Sequence, residues 1–352
     1  MTTHDFRSDT VTLPTPAMMA AIASARLGDA ARGDDPTVNE LEALSRELTG
    51  KEDALFVPSG AMANLSAVMA HGCRGGEVIL EEQAHIYNSE GGGLSVLAGA
   101  IARPVKGSYG VMNPEDVRAS IRASSDLALA PTRLICLENT HNASGGSVAP
   151  LENMEAIHAV AREAGLPVHL DGARLFNAAT YLNVPISQIC RHVDSVWFAV
   201  CKGLGSPVGA VLAGPRDFMR DARRAAKMLG GGMRQAGLIA APAIVALQDP
   251  YTQHRRDHEL ARQLAVGLAA IDASLVDVPR VQTNIVNCFV DRFADDALEI
   301  NKALAARGVL TNARRTKIRF VTHSQVDEAA VKAAIDAFAR IIFSIPRKGC
   351  LS

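Results

Sequence analysis

The sequence predicts an α/β protein: a large domain built on a mainly parallel sheet, with a smaller C-terminal α+β domain behind it. Three observations carry that reading. Short apolar runs alternate with amphipathic stretches through most of the chain. The alternation breaks near Asp249-Pro250, where a long polar helix begins. At 352 residues the chain is too long for one small core and fits a large domain plus a smaller one.

Strands are expected at residues 54–57, 78–80, 101–105, 134–137, 167–170, 195–200 and 209–213, each a brief apolar run. Between several of them lie helices. Residues 37–48 carry Val38, Leu41, Leu44 and Leu48 at helical spacing and stop at Gly50. Residues 151–164 carry Met154, Ile157 and Val160 and stop at Gly165. Beyond residue 250 come a polar helix at 254–270, a strand at 285–290, a helix around 297–307, a strand at 318–321 and a last helix at 326–343. His254 and His258 read as surface residues of the polar helix. Residues 1–15 lack amphipathic pattern and read as an N-terminal arm. The expected division is therefore an arm at 1–15, a large domain at 16–249 and a small domain at 250–352.

Composition excludes several classes. The formal net charge of -1 gives no field to attract nucleic acid or an anionic membrane. Aromatics at 4% leave few stacking platforms for single strands. Cys73, Cys136, Cys190, Cys201, Cys288 and Cys350 form no CxxC pair, which argues against a zinc ribbon or a disulfide framework and for a reducing compartment. No metal site is expected. The longest apolar stretch, 238–247, is short and interrupted by Pro242. A cytoplasmic protein is the expectation.

Two residues stand out. Asp171 ends an apolar run and precedes Gly172, where ligands of open α/β sheets gather. Lys202 sits alone in the otherwise uncharged stretch 196–212. An acid for a pyridinium nitrogen and a lysine for a Schiff base are what pyridoxal phosphate (PLP) requires of a protein. Read singly, Asp171 is also an ordinary N-cap and Lys202 a strand-end lysine reaching solvent. Together, each after its own strand, they point to the cofactor.

Other candidates surround them. Ser59, Gly60 and Ala61 follow a strand and open a helix, so free N–H groups could hold a phosphate, although a plain N-cap looks the same. His85 and His141 each come just past a strand, where histidine can stack on a ring or move protons. Arg174 and Arg319 are candidate carboxylate clamps. The alternative for Arg319 is an edge strand facing water. Arg220, Arg223, Arg224 and Lys227 fit a solvated helix face or a subunit contact.

At this point the chain resembles the low-specificity L-threonine aldolases of the threonine aldolase/β-eliminating lyase family. The likeness rests on Phe6-Arg7-Ser8-Asp9-Thr10-Val11-Thr12, Gly33-Asp34-Asp35-Pro36-Thr37-Val38-Asn39 and Glu138-Asn139-Thr140-His141-Asn142. It continues through residues 169–176, 202–209, 230–235 and 319–323, in order, over nearly the whole chain. The resemblance implies the aspartate-aminotransferase-like fold type I and PLP as cofactor. It implies that Lys202 forms the Schiff base, Asp171 meets the pyridine nitrogen and His85 stacks on the ring. It implies phosphate contacts from Gly60 and Ala61 beside Ser59. It assigns the substrate carboxylate to Ser8, Arg174 and Arg319, with Arg174 also bordering the cofactor, and puts His141 near the β-hydroxyl. Lys227 and Arg234 would line the pocket or an adjoining subunit of a dimer or tetramer whose sites lie at the dimer interface. The family often has threonine at Ala61 and serine at Cys201, and each lost hydroxyl would weaken cofactor binding by about 0.5–1.5 kcal/mol. The activity implied is cleavage of L-threonine or L-allo-threonine, and related β-hydroxy-α-amino acids, to glycine and an aldehyde. The alternatives are β-elimination, or an aldolase for phenylserine or 3-hydroxyaspartate, on the same scaffold.

Overall fold

The computed structural model describes residues 2–123 and 125–345. The chain divides into two compact units. The larger comprises Leu13–Ser144 and Val148–Pro250, and the smaller Met1–Thr12, Gly145–Ser147 and Tyr251–Ser352. In chain order the strands are β1 (His4–Asp5), β2 (Asp53–Val57), β3 (Glu77–Glu81), β4 (Ile101–Val105), β5 (Gly107–Ser108), β6 (Val111–Met112) and β7 (Thr132–Glu138). They continue with β8 (Val168–Gly172), β9 (Ser195–Ala199), β10 (Ala210–Gly214), β11 (Ile285–Phe289), β12 (Val309–Leu310), β13 (Asn312–Arg314) and β14 (Lys317–Val321).

The larger unit is organised on a seven-stranded sheet in the order β2-β10-β9-β8-β7-β3-β4. Strands β4, β3, β7, β8 and β9 run parallel, and β10 runs antiparallel to both its neighbours. Every residue of β3, β8, β9 and β10 is buried. Such strands have both faces covered and so read as continuous apolar runs rather than alternating ones. That is why these four were legible, whereas β4, with a single buried residue, was read from a short apolar run alone. Register then sets the site: Glu138 pairs with Asp171 and Asp171 with Trp197, so three adjacent strands present two carboxylates and an indole N–H at the same level. The helix Pro36–Thr49 is capped by Asp35, which accepts from the N–H groups of Thr37 and Val38, and ends in Gly50 at φ 70°. Pro242, expected as an interruption, lies inside the helix Gly237–Leu247.

The smaller unit carries an antiparallel sheet in the order β11-β14-β13. Leu260, Leu264, Phe320 and Phe338 belong to its core. Two expectations fail here. The first is the arm at residues 1–15. Strand β1 pairs in parallel with β12, and Phe6 is fully buried in this core, its ring 5.8 Å from that of Phe320. A two-residue strand and one apolar anchor are too short to show a period. The second is the surface placement of His254 and His258. His254 is buried, and with Asp257, Ala261, Leu264 and Leu268 it forms the inward stripe of the helix Thr252–Ile271. His258 is half-buried, and burial, with His254 beside it, pushes its pKa down to about 3. Polar residues at the head of the stripe disguised it. Among the described residues no helix is long and apolar enough to cross a membrane.

Candidate active site

The site is built at the carboxyl ends of the central strands of the larger unit. Asp171, near the end of β8, is 2% exposed. Its Oδ1 accepts from the Ala173 N–H at 3.1 Å and its Oδ2 from Asn64 Nδ2 at 2.9 Å. Asn64 comes from the helix Gly60–Ala70. The same amide donates to Glu90 Oε1 at 2.7 Å, and its Oδ1 accepts from Trp197 Nε1 at 2.6 Å. Trp197, on β9, also faces Lys202, whose Nζ lies 5.8 Å from the indole centroid. Thus Lys202 and Asp171 reach one corner through Trp197 and Asn64.

The same indole sets the helix. A Cβ on Gly60 would come within 2.2 Å of the Trp197 ring, so only glycine lets the helix start this close to β9. Ser59 caps the helix, its Oγ accepting from the Met62 N–H at 3.3 Å. The first helical carbonyl bond runs from the Ala63 N–H to Ser59 O, so the N–H groups of Gly60 and Ala61 precede the ladder. They form the donor end of a helix whose Ser59 and Ala61 are exposed. This is anion-binding geometry.

Two histidines complete the site. The His85 side chain is 37% exposed, and its Nδ1 lies 3.1 Å from Glu90 Oε1, on a carboxylate only 1% exposed. The Glu90 hydrogen bond raises the His85 pKa; burial opposes it, and the Asp171, Glu90 and Glu138 charges add to the rise. His141 is enclosed. Its Nε2 lies 3.0 Å from Glu81 Oε2, and its Nδ1 meets Ser144 Oγ at 2.9 Å. Gly110, at φ 82°, packs so closely that a Cβ there would sit 2.1 Å from the imidazole. Burial works against a charge on His141, but the Glu81 hydrogen bond and the Glu138, Glu81 and Asp171 charges outweigh it and raise its pKa.

Glu138, at the end of β7, clasps both histidine segments. Its Oε2 accepts from the His85 N–H and its Oε1 from the Asn142 N–H, each at 2.7 Å. Burial raises its pKa, with His141 and the two N–H donors acting against the rise and Asp171 with it. Arg174 joins the group through a 3.1 Å bond from Nη1 to Asn142 Oδ1.

The structure therefore brings together Lys202, Asp171, His85, His141, Arg174 and the helix start at Ser59, Gly60 and Ala61. It groups Lys227 and Arg234 differently. Lys227 lines a cavity of about 540 Å³ with Ala30, Asn39, Glu42, Phe56 and Arg223, and Arg234 bonds Asp29 Oδ2 at 2.8 Å. Ser8 and Arg319 belong to the smaller unit. Ser8 caps a turn by accepting from the Thr10 N–H at 3.2 Å. Arg319 lies on the middle strand of its sheet, opposite Asn287 and Asn312, rather than on an edge. Sequence reasoning missed Asn64 and Glu90, and the clasping role of Glu138. A lone amide inside an apolar helix was a signal for Asn64. Nothing in the glycine-rich loop marked Glu90.

The donor set fits a phosphorylated pyridine aldehyde at three points: an acceptor for a ring N–H at Asp171, an amine at Lys202 and an anion site at the helix start. The family model for β-eliminating lyases matches residues 5–291. The chain is 41% identical to low-specificity L-threonine aldolase 1 of Arabidopsis thaliana over 352 residues, covering 98% of each chain. It is 41% identical to the low specificity L-threonine aldolase of Escherichia coli (strain K12) over 322 residues, covering 92% of this chain and 94% of that one. Among solved structures, a threonine aldolase of Leishmania major superposes with a TM-score of 0.81 at 20% identity, over 96% of this chain and 99% of that one. Serine palmitoyltransferase of Sphingomonas wittichii superposes with a TM-score of 0.77 at 18% identity, over 98% and 89%. These two likenesses are of fold, and the fold is type I.

Proposed function

The chain belongs to the low-specificity L-threonine aldolase group of the β-eliminating lyase family, and from that premise we propose that it is a PLP-dependent aldehyde-lyase. It cleaves L-threonine and L-allo-threonine, with related β-hydroxy-α-amino acids, to glycine and an aldehyde. The observation that carries this reading is the link from Lys202 through Trp197 and Asn64 to Asp171.

When bound, the cofactor supplies an aldehyde for the substrate amine and a ring that accepts electrons from the breaking bond. The chain's own residues do the rest. Lys202 would be the amine that holds the cofactor's aldehyde when no substrate is bound. Asp171 accepts the ring N–H. The N–H groups of Gly60 and Ala61, with Ser59, hold the phosphate. His85 would border the cofactor and take the β-hydroxyl proton at Nε2, because Glu90 already engages Nδ1 and would stabilise the imidazolium that forms. His141, expected near the β-hydroxyl, is enclosed, with Nδ1 on Ser144 Oγ and Nε2 3.0 Å from the Glu81 carboxylate, so its proposed part is to position Glu81, Glu138 and the loop that carries Asn142. Arg174 holds the substrate carboxylate and so fixes which bond is broken.

Family likeness extends the proposal to Ser8 and Arg319 as further carboxylate partners. It also makes Lys227 and Arg234 residues of a neighbouring subunit's pocket, in a cytoplasmic dimer or tetramer. Sedimentation alongside activity tests the assembly, and a fully active monomer contradicts it. For the site itself, Lys202→Ala is expected to abolish the visible absorption of the PLP-loaded protein together with turnover. A variant that kept both would end the assignment.

A further inference from the structure

Behind Asp171 a chain of polar groups runs along one face of the sheet, between β8, β9 and the helix Gly60–Ala70. Asn64 is its junction. An indole N–H can only donate, so the 2.6 Å contact from Trp197 Nε1 fixes which end of the Asn64 amide is oxygen. The amide nitrogen then necessarily faces Asp171 Oδ2 and Glu90 Oε1, both acceptors. His169 Nε2, 3.2 Å from the same Asn64 oxygen, is therefore a donor. A neutral imidazole that donates at Nε2 accepts at Nδ1, and Ser195 Oγ lies there at 2.8 Å. With its proton spent on His169, Ser195 accepts from His71 Nε2 at 2.7 Å. Each proton position follows from the one before it, and all donate toward Asp171.

We propose that His169 and Asn64 are positioning residues: through a one-way hydrogen-bond chain, His71 to Ser195 to His169 to Asn64, they hold the Asp171 carboxylate aimed at the cofactor's ring nitrogen. The inference rests on the reading of Asp171 as the ring-nitrogen partner. Neutrality of the two imidazoles supports the direction. Burial, with His71 nearby, pushes His169 down to about 3, and burial, against the pull of Asp194, pushes His71 down to about 4. Bonds aligned in one sense polarise one another, so the Asn64 N–H that meets Asp171 is a stronger donor than an isolated amide. Without His169, the Trp197 indole is the one donor left at the Asn64 oxygen, and the Asn64 N–H that meets Asp171 loses the polarisation and the restraint that His169 supplies.

The test uses the full-length protein loaded with PLP carrying ¹⁵N at the ring nitrogen. Native protein, His169→Phe and His169→Gln are compared by the ring-nitrogen resonance and by kcat and KM for threonine. In the glutamine variant the side-chain amide restores an N–H near Nε2; in the phenylalanine variant there is none. Expected for His169→Phe are a resonance moved toward that of unprotonated pyridine and a kcat lower by about tenfold, the scale of one hydrogen bond, with KM nearly unchanged. His169→Gln is expected to recover most of both. Should His169→Phe fail to fold, Ser195→Ala decides, with a smaller shift in the same direction. A folded His169→Phe, or failing that Ser195→Ala, with native resonance and native kcat overturns the inference alone. A native protein that takes up no PLP overturns the functional reading, and this inference with it.

Discussion

His141 and His169 are both enclosed, at 2% and 0% exposure, yet their environments push them in opposite directions. His141 meets Glu81 and Glu138, and its pKa is raised in spite of burial. His169 meets a serine hydroxyl, an amide oxygen and, nearby, another imidazole, and burial takes it down to about 3. Burial alone disfavours the imidazolium; only a carboxylate partner reverses it. The larger unit thus presents two kinds of support around one aspartate. On the side of β3 and β7 the support is charged and clasps the segments that carry His85 and Asn142. On the side of β9 it is neutral and directional, and it ends on Asp171.

The largest effect is expected where the two supports meet. Asp171→Asn removes the acceptor that both serve. It should keep PLP bound but lower kcat by about a hundredfold or more, the scale of losing a preorganised electrostatic partner. Cofactor content and kcat, measured on one preparation, check this; near-normal turnover would dissolve the shared centre of the comparison. Next comes Glu81→Gln, which makes the His141 side more like the His169 side. NMR titration of the histidine rings should then move His141 down, while His169 stays neutral from pH 5 to 8, and turnover should fall about tenfold through loosening of the His85 clasp. A His141 titration unmoved by the change would mean that Glu81 is not its partner.

The last effect is on stability against pH. His71 and His169 have folded pKa values below the ordinary 6.5, so the unfolded chain takes up their protons first. Their contribution is complete above about pH 6.5 and is lost as pH falls toward 4 and 3, by at most about 1.4 kcal/mol per pH unit for each. His85 and His141 are raised and act in the opposite sense, adding stability below pH 6.5 that is lost as pH rises through their folded values. His71→Gln removes one neutral imidazole and keeps an N–H for Ser195. It should reduce the fall in Tm between pH 7 and pH 5. An unchanged fall would show that His71 is not held neutral.

What the sequence made legible follows from range. The central strands β3, β8, β9 and β10 were readable because strands buried on both faces are continuous apolar runs. Strands β5, β6 and β12, of two residues each, carry no period, and β1 hid in the supposed arm. Asp171 and Lys202 were readable as polar residues set against apolar runs. The role of Asn64 was not, because its partner is far along the chain, Asn64 and Asp171 being 107 residues apart, and Glu90 was not, because its loop carries no periodic pattern. The enclosure of His141 depends on Gly110 and Glu81, which no local pattern joins to it. Ser8, Lys227 and Arg234 came into the site from family likeness rather than from spacing, whereas Arg319 was marked by a charge set inside an apolar strand.

The central claim is the bond that is broken, and one product analysis tests it. The PLP-loaded protein is given L-threonine and, separately, L-allo-threonine, and glycine, acetaldehyde, 2-oxo acid and ammonia are measured together. The account predicts glycine and acetaldehyde in equal amounts, and none from Lys202→Ala. Formation of a 2-oxo acid with ammonia in place of glycine would contradict it and make the protein an eliminating enzyme instead.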